Sequence, residues 1–335
     1  MKFSLSQVLK SLTLAVAIAA LPGQVAAQQA TIKYLHIPGS TTYLPPYVGI
    51  EQGYFAAENI KLELIAGNSA AAIHTALATG DADTTQHALS FWATLATQGI
   101  DVSAVGVYWY VGRYLVLPKK DTTTPRIGKG NAAWRDVMQA MKGKTFGTIG
   151  GGLRSDTIGL FRLAGINAEK EVSLVDLNTA AAQVAAMDQG QIDGVIGTAA
   201  FAFTLVSAGK SELGVDLVTQ GPAEHKGAML TMTGIRKAAL AQAPDLADRY
   251  ARALARSVAY IKDPANTQAL MTLAAKYGVK VDPTIMPELM KLVQRDIGNT
   301  MPRKDAELAM KWALDNGQIK KAVPIESIVL RGLVN

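Results

Sequence analysis

The sequence contains no cysteine among its 335 residues. That excludes disulfides, thiolate metal sites and cysteine nucleophiles. It also excludes the cysteine by which lipid-anchored bacterial exoproteins are tethered next to their cleavage site. Aromatic residues make up only 6% and are dispersed, which leaves no base-stacking platform for a nucleic acid. No run of five like charges occurs, so the charged residues read as a solvated surface. After residue 27 no stretch reaches 18 uncharged apolar residues, so the mature chain is expected to be soluble. G-x-S-x-G, H-E-x-x-H and paired-carboxylate motifs are missing too, and hydrolase chemistry finds no support.

What is present begins with a leader. Lys2 and Lys10 form a basic start, Ser11–Leu21 an apolar core, Pro22-Gly23 a break, and Val25-Ala26-Ala27 a run of small residues. This is the pattern of a secretory signal, with cleavage expected after Ala27. Without Lys2 and Lys10, 31 basic residues face 27 acidic ones, a net charge of +4.

The mature part alternates strand and helix signals. Strands are expected at Ile32–Ile37, Ile60–Ile65, Asp83–Gln86, Val102–Tyr108 and Tyr114–Leu117, with helices between them. That order implies a parallel sheet covered on both faces. After a Thr/Pro/Gly-rich stretch at 121–131 the order restarts, with strands at Thr145–Ile149, Val172–Leu177 and Asp193–Ile196. Strands at Val215–Val218 and Ala228–Thr233 follow, and four helices (245–262, 266–276, 283–297, 304–315) close the chain.

One pattern occurs twice. Residues 68–83 and 178–193 share N-[ST]-A-A-A-x-x-x-A-x-x-x-G-x-x-D, seven identities in sixteen positions at an offset of 110. Each residue has a local task. Asn-Ser or Asn-Thr caps a helix, three alanines let it lie close on a sheet, and Gly-x-x-Asp turns into the next strand. Two copies of one βαβ crossover imply two related lobes.

At this point a family resemblance enters. "STTYLPPYVGIEQGYF" (Ser40–Phe55), "ENIKLELI" and "ALATGDAD", behind a signal peptide, resemble the periplasmic solute-binding proteins of ABC importers. The narrower likeness is to the branch for sulfonates, taurine, nitrate and thiamine pyrimidine precursors, and it covers about residues 31–235. It implies two doubly wound α/β lobes joined by a hinge, the type II periplasmic binding protein fold. Lobe 1 is then 28–115 with 227–335, and lobe 2 is 116–226, with crossings near Leu115–Leu117 and Ala228–Thr231.

Two such lobes place their strand C-termini, and so their binding loops, at a shared cleft. The ligand candidates follow from that topology. Ser40, Thr41, Thr42 and Tyr43 follow the first strand, where a helix start favours polar or anionic groups. Asn68 and Ser69 stand at the second strand end, with Asn178-Thr179 as their counterpart. Gln86 and His87 follow the third strand, and His87 is as readily structural as ligand-binding. Trp109 ends a strand and offers an apolar wall, whereas Trp92 reads as core. In the second lobe Gly151, Arg154 and Ser155 follow a strand at a glycine-rich helix start, and Thr198 completes the rim. The triple glycine is no dinucleotide fingerprint, because Ser155 stands where the last glycine belongs. Gly143-Lys144-Thr145 is no P-loop either, because Met138 replaces the leading glycine.

Arg113 and Arg154 near the cleft favour a small organic anion, sulfonate or carboxylate. A neutral pyrimidine, an enzyme on the same fold, and a signalling receptor subunit are the alternatives. The related pyrimidine-precursor synthase carries a cysteine-rich motif that this chain lacks. The expected partners are a small-molecule ligand and an inner-membrane permease. No nucleic acid, cofactor or metal is expected, and the protein is expected to be a periplasmic monomer.

Overall fold

The computed structural model describes residues 29–127, 132–177, 179–330 and 332–334. The signal expected at 1–27 and the cap residue Asn178 lie outside the described residues.

The first sheet starts with β1 (Ala30–His36) and β2 (Ile60–Ala66), paired in parallel over seven residues. In β1, Ile32 and Tyr34 are fully buried while Lys33 between them is exposed, the two-residue alternation of a pleated strand. β3 (Thr84–Ala88), β4 (Val102–Tyr110), β10 (Leu230–Arg236) and β11 (Ile297–Gly298) complete it in the order β11-β4-β10-β3-β1-β2. The second sheet is built from β5 (Arg113–Pro118), β6 (Thr145–Thr148), β7 (Ser173–Asp176), β8 (Gly194–Thr198) and β9 (Ser211–Asp216), in the order β7-β6-β8-β5-β9.

Read from the second strand outward, the two orders match place by place: β2, β1, β3, β10, β4 against β7, β6, β8, β5, β9. The fourth strand in each, β10 or β5, runs antiparallel to both its neighbours. The all-parallel sheet expected from the strand–helix order is therefore corrected to a mixed one. Only Val111 and Gly112 join β4 to β5. Two residues are too few for the crossover that parallel neighbours need, and β5 does not pair with β4 but enters the other sheet, between β8 and β9. The crossing comes at Val111-Gly112, ahead of Leu115–Leu117, which lie inside β5. The chain returns through residues 217–229 and enters β10 at Leu230.

The repeated segment occupies equivalent places in both sheets. Ser69 and Thr179 cap the helices Ala70–Thr79 and Ala180–Asp188, each hydroxyl accepting a backbone N–H at 3.2 Å. Gly80 and Gly190 follow those helices in the left-handed region (φ 87° and 72°), which glycine adopts without strain.

Helices cover both faces of each sheet. Leu44–Glu51 and Leu246–Lys262 pack on one face of the first sheet, and Leu89–Thr97 with Arg303–Asp315 on the other. Trp92 lies flat against β10, its Nε1 donating to the Met232 carbonyl at 3.1 Å. A Cβ at Gly234 would stand 2.3 Å from that indole, so glycine there is a packing requirement. The C-terminal helices reach the second lobe as well: Met286–Asp296 packs on Ala199–Ser207, and Trp312 lies on Gly159.

Candidate functional site: the facing strand ends

In both sheets the C-termini of the three parallel strands β1, β2, β3 and β6, β7, β8 carry the candidate residues. The rims face each other, and helix Ala70–Thr79 approaches helix Gly151–Leu163 across them.

On the first rim, Ser40 caps the short turn Thr41–Tyr43, accepting from the Thr42 N–H at 3.3 Å. Thr42 is half-buried and Thr41 buried. Asn68 and Ser69 are exposed at the end of β2. His87 accepts the Ala88 N–H on Nδ1 at 2.9 Å and stacks on Phe91 with ring centroids 3.9 Å apart. Burial first, and Arg113 second, pull its pKa down to about 4. The ring is therefore neutral near pH 7, and with Nδ1 accepting, its proton sits on Nε2 as a fixed donor.

Three expected contacts are directed elsewhere. Tyr43, Gln86 and Trp109 are 4%, 1% and 3% exposed. Gln86 donates to Thr231 Oγ1 at 3.0 Å and accepts from Thr233, stitching β3 to β10. Tyr43 sits against Thr85 and Ile37, and burial raises its pKa to about 12. Trp109 belongs to the core.

Sequence reasoning passed over His36, the last residue of β1. Its Nδ1 lies 2.5 Å from the Tyr47 hydroxyl, and Tyr47 stacks on Tyr277 at 3.7 Å. Its position immediately before the first binding loop was the available signal.

On the second rim, Gly150 leads into helix Gly151–Leu163 with φ 76° and ψ −179°, a conformation essentially reserved for glycine. Arg154 and Ser155 lie in the first turns of that helix. Thr198 occupies the N-cap position of helix Ala199–Ser207 without a side-chain cap bond. It stands opposite Arg113 in the β8–β5 register. Thr179 caps its helix, as above.

The electrostatics depart from expectation. Arg113 and Arg154 were expected near the cleft as groups that favour an organic anion, and both are paired with carboxylates. Arg113 is 7% exposed and bonded to Asp156 through Nη2 (3.0 Å) and Nε (3.3 Å), to the Val111 carbonyl (2.7 Å) and to the Ala228 carbonyl (3.5 Å). It ties both chain crossings to helix Gly151–Leu163. Burial raises the Asp156 pKa, and Arg113 opposes that rise. Arg154 is paired with Asp176 at 3.0 Å. A third arginine, Arg295, joins Asp216 at the end of β9 (2.9 Å) to Asp296 just before β11 (2.6 Å). Except for the adjacent Arg295 and Asp296, these partners lie 22 or more residues apart, which hid them from motif reading.

Among the described residues no cluster of His, Asp or Glu could hold a metal ion, and no helix is long and apolar enough to cross a membrane. Two surface cavities of about 420 and 350 Å³ lie on the C-terminal side, one beside Gly106 and Asn299 and the other beside Arg303 and Val329, away from the facing rims.

Solved structures share this architecture. The periplasmic aliphatic sulphonate binding protein SsuA from Escherichia coli aligns at TM-score 0.70 with 13% identity, over 90% of this chain and 92% of that one. The alkanesulfonate-binding protein SsuA from Xanthomonas axonopodis pv. citri, bound to MOPS, aligns at 0.67 with 14% identity, over 93% and 99%. The desulfurization enzyme DszB aligns at 0.65 with 13% identity, over 91% and 97%. The chain thus has the two-lobed type II fold of periplasmic binding proteins. No curated protein matches the sequence. A family model does, across residues 27–275: the chain belongs to the NMT1-like family.

Proposed function

We propose that this protein is the periplasmic solute-binding component of an ABC importer. It captures a small polar molecule between its two lobes and hands it to an inner-membrane permease. The observation that carries this reading is the pair of facing rims, built on two sheets of matching strand order with helix starts and hydroxyls at the strand ends. The lobes, one built on the first sheet and one on the second, move about the chain crossings at Val111-Gly112 and 217–229, and ligand shifts an open–closed equilibrium toward closed. Export as a monomer through a cleaved leader belongs to the same reading, with an intact mass starting at Gln28.

Catalysis is the competing use of the fold, as DszB illustrates. One structure of that enzyme carries a cysteine-to-serine change with a sulfinic acid bound. This chain has no cysteine with which to repeat such chemistry, which supports binding over turnover.

For the ligand, an organic anion was suggested by Arg113 and Arg154. Both are paired with carboxylates, and His87 is neutral. That pairing favours the second reading, a neutral polar molecule such as a heterocycle. Native mass spectrometry of the purified protein identifies the bound molecule, and small-angle scattering with and without it measures closure. An unchanged radius of gyration at saturation would refute the two-lobe capture.

A further inference from the structure

Thr148 and Asp176 are register partners at the ends of β6 and β7. At the matching ends of β1 and β2 the partners are His36 and Ala66. The second rim thus carries a carboxylate where the first carries a methyl group. Asp176 is held from two sides. Thr148 Oγ1 donates to its Oδ1, and Arg154 Nη1 donates to the same oxygen at 3.0 Å. Arg154 also reaches the Leu174 carbonyl at 3.4 Å, so its fork points along β7. The Thr148 bond, and then Arg154, hold the Asp176 carboxyl below the usual carboxylate range, so it is ionised near neutrality.

The surrounding segments add no further cation. Residues 37–43, 67–69, 149–153, 177–179 and 197–200 contain no Lys or Arg. Arg113 is fully engaged with Asp156 and two backbone carbonyls. Arg295, which reaches the end of β9, is likewise taken up by Asp216 and Asp296. Arg154 is therefore the basic group an incoming anion would meet, and Asp176 already occupies it.

We infer that Asp176 is a specificity-determining residue: it cancels the Arg154 guanidinium and selects for ligands without net negative charge. The inference rests on the facing rims being the ligand site. A full anion entering this cleft must displace a carboxylate held by its neighbouring strand, or stay without a countercharge where water is being excluded. A neutral polar molecule faces neither cost.

The test uses ethanesulfonate, a compact full anion, and titration calorimetry at low ionic strength. Asp176→Asn keeps the shape and removes the charge. Asp176→Ala installs the residue that the first lobe carries at Ala66, and guards against a folding artefact in the first variant. Both are expected to bind ethanesulfonate at least about tenfold tighter than wild type, because a guanidinium–sulfonate bond is charge-assisted. Adding Arg154→Gln to Asp176→Asn is expected to abolish the gain. Affinity equal to wild type in both single variants, including no measurable binding to any protein, would overturn the inference. Failure of the underlying reading is separable. A wild-type protein that compacts with its co-purified ligand while the variants gain nothing refutes only the role of Asp176. A protein that carries no ligand and never compacts refutes the site itself.

Discussion

Asp83 and Asp193 perform one task in opposite lobes. Each carboxylate accepts the backbone N–H of a residue in the strand that lies between the two strands of its own βαβ crossover, Lys33 in β1 and Thr145 in β6, both at 2.9 Å. Each also donates its own N–H back to that residue's carbonyl, at 2.9 Å and 2.7 Å. The last letter of the repeated pattern is thus a clasp between strands.

Removing the clasp has a calculable cost. A hydrogen bond to a charged group contributes about 1.5–3 kcal/mol, less where water competes. Asp193→Ala should lower stability by about 1.5–3 kcal/mol and Asp83→Ala by less, because the Lys33 bond is the more exposed. Urea unfolding of the two variants checks the order, and a larger loss for Asp83→Ala would contradict it.

The pairs Arg113–Asp156 and Arg154–Asp176 should differ in their response when broken. Asp156 is 4% exposed, and losing its charge leaves Arg113 buried without a counterion. Asp156→Asn should cost about 3–5 kcal/mol. Asp176 and Arg154 are open to water, so Asp176→Asn should shift stability by no more than about 0.5 kcal/mol. Melting curves of both variants in one buffer decide the contrast.

Acid should destabilise the fold through His225. The ring is fully buried against Trp312, with neither nitrogen bonded among the described residues, and burial pulls its pKa down to about 3. The unfolded chain takes up its proton near pH 6.5 and the folded one near 3. The stabilising contribution is complete above about pH 6.5 and is lost as pH falls toward 3, at up to about 1.4 kcal/mol per unit. His225→Phe keeps a ring and removes the titration, so its stability between pH 7 and 4.5 should fall less steeply than that of wild type.

Gly150 and Gly152 are adjacent in appearance and different in duty. Gly150→Ala forces a side chain into φ 76°, ψ −179°, which should cost about 1–3 kcal/mol and disturb the start of the following helix. Gly152 sits within that helix with open space around it, so Gly152→Ala should be neutral or stabilising by up to about 1 kcal/mol. Thermal unfolding separates them, and equal effects would mean that the backbone at Gly150 is not constrained.

Local chemistry was readable wherever it was local. The caps Ser69 and Thr179, the glycines 80 and 190, and the strands around them follow from neighbours within a few residues. The reversed β10 was not readable, since its partners β3 and β4 lie more than a hundred residues away and alternation along a strand carries no sign of direction. The charge balance of the cleft was hidden for a related reason. Arg154 stands beside three glycines, and that setting looked like a free donor. Its partner Asp176 ends a strand 22 residues later, and only the β6–β7 pairing brings the two together. Gln86 misled in the opposite way: a polar residue at a strand end is consumed by Thr231 and Thr233, from the same distant strand.

That distant strand also sets an order of assembly. β10 lies between β3 and β4, yet its last residue is Arg236, more than 120 residues after β4 ends. A chain emerging from its N-terminus therefore displays β3 and β4 with the edges that face each other unfilled. The second sheet, complete once Asp216 is available, can close before the first. The lobe that is made first is finished last, and its open strand edges are the segments a chaperone or an aggregating neighbour would meet during that interval.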